Sequence, residues 1–274
     1  MIRDITIGQY YPAKSILHKS DPRVKIVCTL AYLVSLFLVQ SVLGYFIAFA
    51  FLAFCIKISK VPVSFILRGL KPILILLSFT VILNLFMTSS GEVLVSFWKF
   101  KITEGGLRTA VFMAIRLVFL IMGSSLMTFT TTPNALTDAI ESLLYPLTKI
   151  KVPVHEVAMM MSIALRFIPI LLEETDKIMK AQIARGADLE SGNIFQKVKS
   201  MIPILVPLFI SAFRRAFDLA MAMEARCYRG GEGRTKMKPL VYKKRDFWAY
   251  VMMGIYLAAL IGIGRFVPFK IWIF

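Results

Sequence analysis

Two short stretches carry the residue types best suited to chemistry at a partner's surface: Ala184-Arg185-Gly186 and Ala225-Arg226-Cys227. A guanidinium is always charged and planar, and it can form two parallel hydrogen bonds to a carboxylate. An arginine between small residues can therefore reach into a partner and grip an acidic group. The two arginines stand 41 positions apart, each where a long, half-apolar segment ends. A helix C-terminus favours a cation, and Gly186 suits a left-handed cap. One such arginine would read as an ordinary helix-end charge, worth about 0.3–1 kcal/mol. Two copies at the ends of two comparable segments read as a pair of docking pegs.

The rest of the chain offers no catalytic constellation. Gly230-Gly231-Glu232-Gly233 lacks the Gly-Lys-Ser/Thr ending and the preceding strand of a phosphate-binding loop. There is no HExxH, no GxSxG and no carboxylate pair in an apolar setting. Cys28, Cys55 and Cys227 form no CxxC pair, and His18 and His155 lie 137 positions apart. The histidines read as interfacial or capping residues. No catalytic residue, metal ligand or cofactor is expected.

Composition says what must position the arginines. Hydrophobic residues make up 58% of 274, mean hydropathy is +0.73, and 33 Lys and Arg stand against 16 Asp and Glu. Long apolar runs between basic loops are the pattern of a polytopic membrane protein under the positive-inside rule. The net charge of +17 would also suit nucleic acid, but the uncharged runs argue for the lipid bilayer as partner and against nucleic acid. Met1 to Asp21 lacks the short apolar core and small-residue site of a cleavable signal, so the first span is expected to stay as an anchor.

Ser20-Asp21-Pro22 is a helix start. The run that follows, from Ile26 to Ile56, carries no charge. One helix of that length would measure about 46 Å, against a hydrocarbon core of roughly 30 Å. The run therefore reads as a hairpin of spans over about 26–40 and 43–57, turning near Gln40-Ser41 and Gly44, with both basic flanks on the cytoplasmic side. Lys57 to Lys71 reads as a cytoplasmic loop, and further spans cover about 72–88 and 107–129, joined by an outer loop. Arg116 lies inside the last of these. It is either a functional cation or a residue of the outer half that snorkels or pairs with a neighbour such as Asn84.

Residues 131–246 change character. Of the 33 basic residues, 18 fall between Thr130 and Asp246, which places this part on the cytoplasmic side. Its helices, from Pro133 to about Tyr145, Val154 to Ala184 with a kink at Pro169, and Phe195 to Tyr228, are half apolar and broken by charge. They read as amphipathic interfacial helices. Ala212, Ala216 and Ala220 form a small-residue row at spacing four, along which another helix can approach closely. A last span, from Phe247 to Gly264 within 247–274, enters through Trp248 and Tyr250. The expected fold is all-α and polytopic: about five transmembrane helices, four of them within 1–130, plus long amphipathic cytoplasmic helices.

These motifs together resemble the transmembrane T component of energy-coupling factor (ECF) transporters, the CbiQ/EcfT family. The resemblance covers most of the chain: Asp21-Pro22-Arg23, Thr131-Thr132-Pro133 with Leu136, Ala139-Ile140 and Pro146, Arg166-Phe167-Ile168-Pro169, and the two Ala-Arg motifs. The family's second motif often continues with Gly or Ser, where this chain has Cys227. The resemblance implies a multi-pass protein of a bacterial-type cell membrane with a cytoplasmic N-terminus. Its partners would be two ABC-type ATPase subunits, docked on Ala184, Arg185, Gly186 and Ala225, Arg226, Cys227. A small membrane-embedded S component would capture a vitamin or metal ion and meet the row of Ala212, Ala216 and Ala220. ATP hydrolysis would lie in the partners, not in this chain. The alternative, a stand-alone secondary transporter, usually shows duplicated halves around a midplane polar site, and no such duplication is visible here.

Overall fold

The computed structural model describes residues 10–39, 41–87, 93–97, 100–187, 193–231, 237 and 239–266. Ten helices appear among them, with one antiparallel hairpin of β1 (Val93–Phe97) and β2 (Phe100–Thr103) in the expected outer loop. The protein is an all-α polytopic membrane protein. Six helices among the described residues are long and apolar enough to cross a membrane: Val42–Ser59, Val63–Phe86, Glu104–Thr130, Val154–Ala184, Phe195–Ala225 and Lys244–Gly264. The fourth and fifth are those read from sequence as interfacial, and both have the length and apolarity of a span.

The chain divides into two compact units, Gly8–Ala139 with Leu240–Phe274, and Ile140–Pro239. In the first unit a short helix, α1 (Ile16–Lys19), precedes α2 (Pro22–Leu38) and α3 (Val42–Ser59). The long uncharged run is thus two helices, and Ser41 caps the second by accepting from the Gly44 amide. The segment before Pro72, read as a loop, is instead helical: α4 (Val63–Leu70) buries Ile66 and Leu70 and passes through a 3₁₀ turn at Lys71–Ile73 into α5 (Leu74–Met87). Pro72 breaks no bond there, because a proline in the first turn lacks only an amide that would be unpaired anyway. Then come α6 (Glu104–Thr130) and, at the far end of the chain, α10 (Lys244–Phe266). Tyr32, Leu36, Leu52, Ile66, Phe119, Leu126 and Tyr256 form the core, with Phe51 and Tyr256 stacked 4.4 Å apart.

Helices α2 and α6 run antiparallel and cap each other's C-termini. The last carbonyls of a helix have no partner within it and carry the negative end of its dipole. Lys25, in the first turn of α2, donates to the Thr130 carbonyl at the end of α6 at 2.7 Å. Arg116 of α6 donates from Nη2 to the Val39 carbonyl at the end of α2 at 3.3 Å, and from Nε to the Tyr45 hydroxyl at 3.1 Å. Each cation sits 14 positions from the carbonyl that ends its own helix (39 − 25 and 130 − 116), about 21 Å of rise. The two caps therefore match in level at both ends. Gly123 lets the helices close up, since a Cβ there would meet Cε1 of Tyr32 at 2.7 Å.

Arg116 is thus a buried structural cation, and its partner is not Asn84, whose amide donates to the Thr80 carbonyl on its own helix. We expect Arg116→Met to cost about 1.5–3 kcal/mol, the range for hydrogen bonds to a charged group. It would be read as a lower melting midpoint in detergent, whereas Asn84→Ala should stay within about 0.5 kcal/mol.

A second polar node ties α2 to α10. The Asp21 carboxylate accepts from the Arg23 amide at 2.9 Å and from the Arg23 guanidinium at 2.9 Å. That guanidinium also donates to the Leu240 carbonyl and lies 4.1 Å over the Tyr242 ring. Asp246, 1% exposed, accepts from the amides of Asp21 and Lys243, both at 2.8 Å. The Asp-Pro-Arg motif therefore holds the chain as it re-enters the helical body through α10.

His18 completes this end. Its Nε2 lies 2.9 Å from the Tyr11 carbonyl, which can only accept, so Nε2 carries the proton. Nδ1, 2.7 Å from Ser15 Oγ, is then the acceptor in the neutral ring. Burial, with a smaller contribution from nearby Lys25, holds the imidazole's pKa below its ordinary 6.5. With the folded value lowered, the neutral ring's contribution is present above pH 6.5 and is lost as pH falls below it. Lower amide protection at Tyr11–Ser20 at pH 5 than at pH 7, each rate taken relative to the intrinsic rate at that pH, is the expected result, and the difference should be absent in His18→Asn.

Candidate functional site: two arginine-tipped helices

The unit Ile140–Pro239 contains the end of α7 (Pro133–Leu144) and the long helices α8 (Val154–Ala184) and α9 (Ile194–Ala225). Thr132 starts α7 by accepting from the Ala135 amide. At the start of α9 the Asn193 amide donates to Gln196 Oε1 at 3.1 Å, within a capping box. Prolines lie inside both long helices, Pro169 in α8 and Pro203 and Pro207 in α9. Pro207 has no amide to offer the Pro203 carbonyl four residues back. Gln182 of α8 supplies the missing donor from across the gap, with Nε2 at 3.3 Å.

That bond and a second one set the direction of the pair. Arg215 Nη2 donates to Glu174 Oε2 at 2.9 Å. Moving from Glu174 to Gln182 along α8 moves from Arg215 back to Pro203 along α9, so the helices are antiparallel. Arg185 lies 11 positions beyond Glu174 (185 − 174), and Arg226 lies the same 11 positions beyond Arg215 (226 − 215). The tips thus point away from the ion pair in opposite directions, each about 16 Å from it at 1.5 Å per residue. Their separation along the pair is about 33 Å, too far for one carboxylate to reach both.

Both tips are built alike. Arg185 is the C-cap of α8, Gly186 is left-handed at φ 86°, the Gly186 amide bonds the Ile183 carbonyl at 2.9 Å, and the Ala187 amide bonds Gln182 at 3.0 Å. Arg226 is the C-cap of α9, Cys227 is left-handed at φ 57°, its amide bonds Glu224 at 2.8 Å, and the Tyr228 amide bonds Met223 at 3.1 Å. This is the Schellman pattern of paired 5→2 and 6→1 bonds. Ala184, Arg185, Gly186, Ala225, Arg226 and Cys227 are all exposed. The sequence therefore brings the six residues into two equivalent knobs, not one cluster.

Cys227 is more than a small neighbour, because it takes a backbone conformation that costs a side-chain-bearing residue roughly 1–2 kcal/mol. Cys227→Gly should keep the tip's shape. Cys227→Val, β-branched, should fray it and weaken any partner held there about fivefold or more, taking about 1 kcal/mol as the difference. Binding titrations of the two variants against the isolated partner would check this.

The second tip is also tethered. His155, at the start of α8, lies 2.9 Å through Nδ1 from Glu141 of α7, and the backbone of Gly231 packs against its ring so closely that a Cβ would overlap it. At the first tip nothing lies within 4 Å of where a Cβ on Gly186 would be.

The alanine row is only partly where spacing suggested. Ala212 is half-buried, but Ala216 and Ala220 are exposed. The less exposed stripe of α9 is its neighbour: Ile204, Leu208, Ser211, Ala212, Arg215 and Leu219. So Ala216 and Ala220 belong to an open face, together with exposed Phe209, Phe213 and Phe217. Glu174 and Arg215, which sequence reasoning did not single out, did carry a signal: they too are 41 positions apart.

The fold defines an all-α membrane body joined in sequence to a pair of antiparallel, arginine-tipped helices. The cobalt transport protein family, CbiQ, matches residues 13–237. The chain is 62% identical over 250 residues to the energy-coupling factor transporter transmembrane protein EcfT of Clostridium kluyveri, covering 91% of this chain and 93% of that one. It is 51% identical over 271 residues to the EcfT of Thermosediminibacter oceani, covering 99% and 100%. With the EcfT of Bacillus subtilis it shares 48% over 261 residues, covering 95% and 98%. The chain belongs to the CbiQ/EcfT family of energy-coupling factor transmembrane proteins.

Proposed function

We propose that this chain couples ATP hydrolysis by two ABC-type ATPase subunits to the uptake of a vitamin or metal ion captured by a small membrane-embedded S component. Arg185 and Arg226, each with its flanking small residues, dock one ATPase apiece. The open face of α9, with Ala216 and Ala220 and bordered by half-buried Ala212, meets the S component. The chain itself is non-catalytic. It sits in the cell membrane with its N-terminus and residues 131–246 on the cytoplasmic side, where the basic residues concentrate.

The observation that carries this reading is the placement of two like arginine knobs at opposite ends of one antiparallel pair, about 33 Å apart along it. A permanently charged fork at an exposed, rigid helix end is suited to a buried carboxylate on a partner, and two knobs that cannot share a partner call for two. The test is affinity purification of the tagged chain from mild detergent. Recovery of two ATP-binding subunits and a small membrane protein is expected, and the small protein's ligand would name the substrate. A chain that comes out alone and transports by itself would overturn the reading.

A further inference from the structure

We infer that the Glu174–Arg215 ion pair is the pin that fixes the register of α8 against α9, and so fixes the distance between the two arginine tips. The inference rests on the coupling reading for its purpose but not for its geometry. Arg215 Nη2 and Glu174 Oε2 are 2.9 Å apart, with the side chains 38% and 27% exposed. A part-buried pair of this kind adds modestly to stability, so its value lies in where it stands. It is 11 positions from each tip, and pins and tips repeat the same spacing of 41.

The consequence follows from the helices' opposite directions. Sliding one along the other by any amount changes the tip-to-tip distance by that amount. Turning one about the other at the ion pair swings both tips and leaves the pair intact. A single charged contact at the midpoint therefore resists sliding and permits rotation. The remaining seam gives little registration, because its half-buried positions on α9, Leu208, Ala212 and Leu219 among them, are apolar or small and repeat every turn. A slip of four residues, about 6 Å, would keep the same helix face toward α8. The Gln182 bond to Pro203, 3.3 Å long and exposed, is the weaker second mark of register.

The experiment measures distance on the chain alone, in lipid nanodiscs, so loss of ATPase capture cannot mimic its failure. Spin labels are placed on the native Cys227 and on Ala187→Cys, in a background with Cys28 and Cys55 replaced by Ala. One narrow distance distribution is expected. Glu174→Gln should broaden or shift it by about 6 Å, one slipped turn. The charge swap Glu174→Arg with Arg215→Glu should restore the narrow width, which a merely destabilised helix would not do. An unchanged distribution in Glu174→Gln overturns the inference, and so does a swap as broad as the single variant.

Discussion

Reversing both tips, Arg185→Glu with Arg226→Glu, is expected to strip the purified complex of both ATPase subunits while the chain still inserts and still carries its small membrane partner. Each arginine caps its helix through its backbone, not its side chain, and both residues are exposed. The Schellman bonds that shape the tips are made by the amides of residues 186, 187, 227 and 228. The reversal therefore leaves the helix ends formed, apart from the helix-dipole cost of about 0.3–1 kcal/mol per carboxylate at a C-terminus. At the partner it replaces a bidentate attraction by repulsion between carboxylates. Truncating one side of a desolvated charge pair already costs about 2–5 kcal/mol, and like charges placed together cost several more. Even the lower figure for one tip lowers affinity about thirtyfold. Because the tips lie about 33 Å apart, each single reversal should release one ATPase and leave the other. Retention of both subunits by the double variant would refute the docking role.

The sequence carried these tips clearly, since an Ala-Arg pair ending an amphipathic run is local information. It also carried the break in the uncharged run, because Ile26 to Ile56 is too long a stretch for one span. Other features depend on which faces meet. Three alanines at spacing four share a side of a helix, but nothing local says whether α8 lies on that side. The structure puts α8 beside Pro203 and Arg215, and leaves Ala216 and Ala220 open. Cys227 looks interchangeable with any small residue until its left-handed backbone is known. The caps of Lys25 and Arg116 were hidden for the same reason: each bonds a carbonyl at the end of another helix, 105 and 77 positions away. Arg116 advertised itself as an oddity in an apolar run, and only the cross-helix register shows that it completes the end of α2.

The open face of α9 leads to the converse of the double reversal. Ala216→Arg is expected to release the small membrane partner and to keep both ATPases. Ala216 is exposed and lies on the flank of the half-buried stripe, so a long side chain there can extend into open space. An exposed helical site of this kind changes stability by no more than about 0.5 kcal/mol, and arginine is a good helix former. Against a partner helix the effect is large. Small residues at spacing four let backbones approach closely, and an arginine there both fills the gap and brings a charge into an apolar contact made by Phe209, Phe213 and Phe217. An unpaired charge buried in an apolar contact costs about 3 kcal/mol or more. If half of that is felt at the contact, affinity falls about tenfold. Ala220→Arg, one turn on, should act in the same direction, and Lys180→Ala, exposed on α8, should not. Substrate uptake would be lost in the alanine variants, while ATP hydrolysis by the captured ATPases would lose its dependence on substrate. Co-purification of the small protein at wild-type yield with Ala216→Arg would move its docking site off α9.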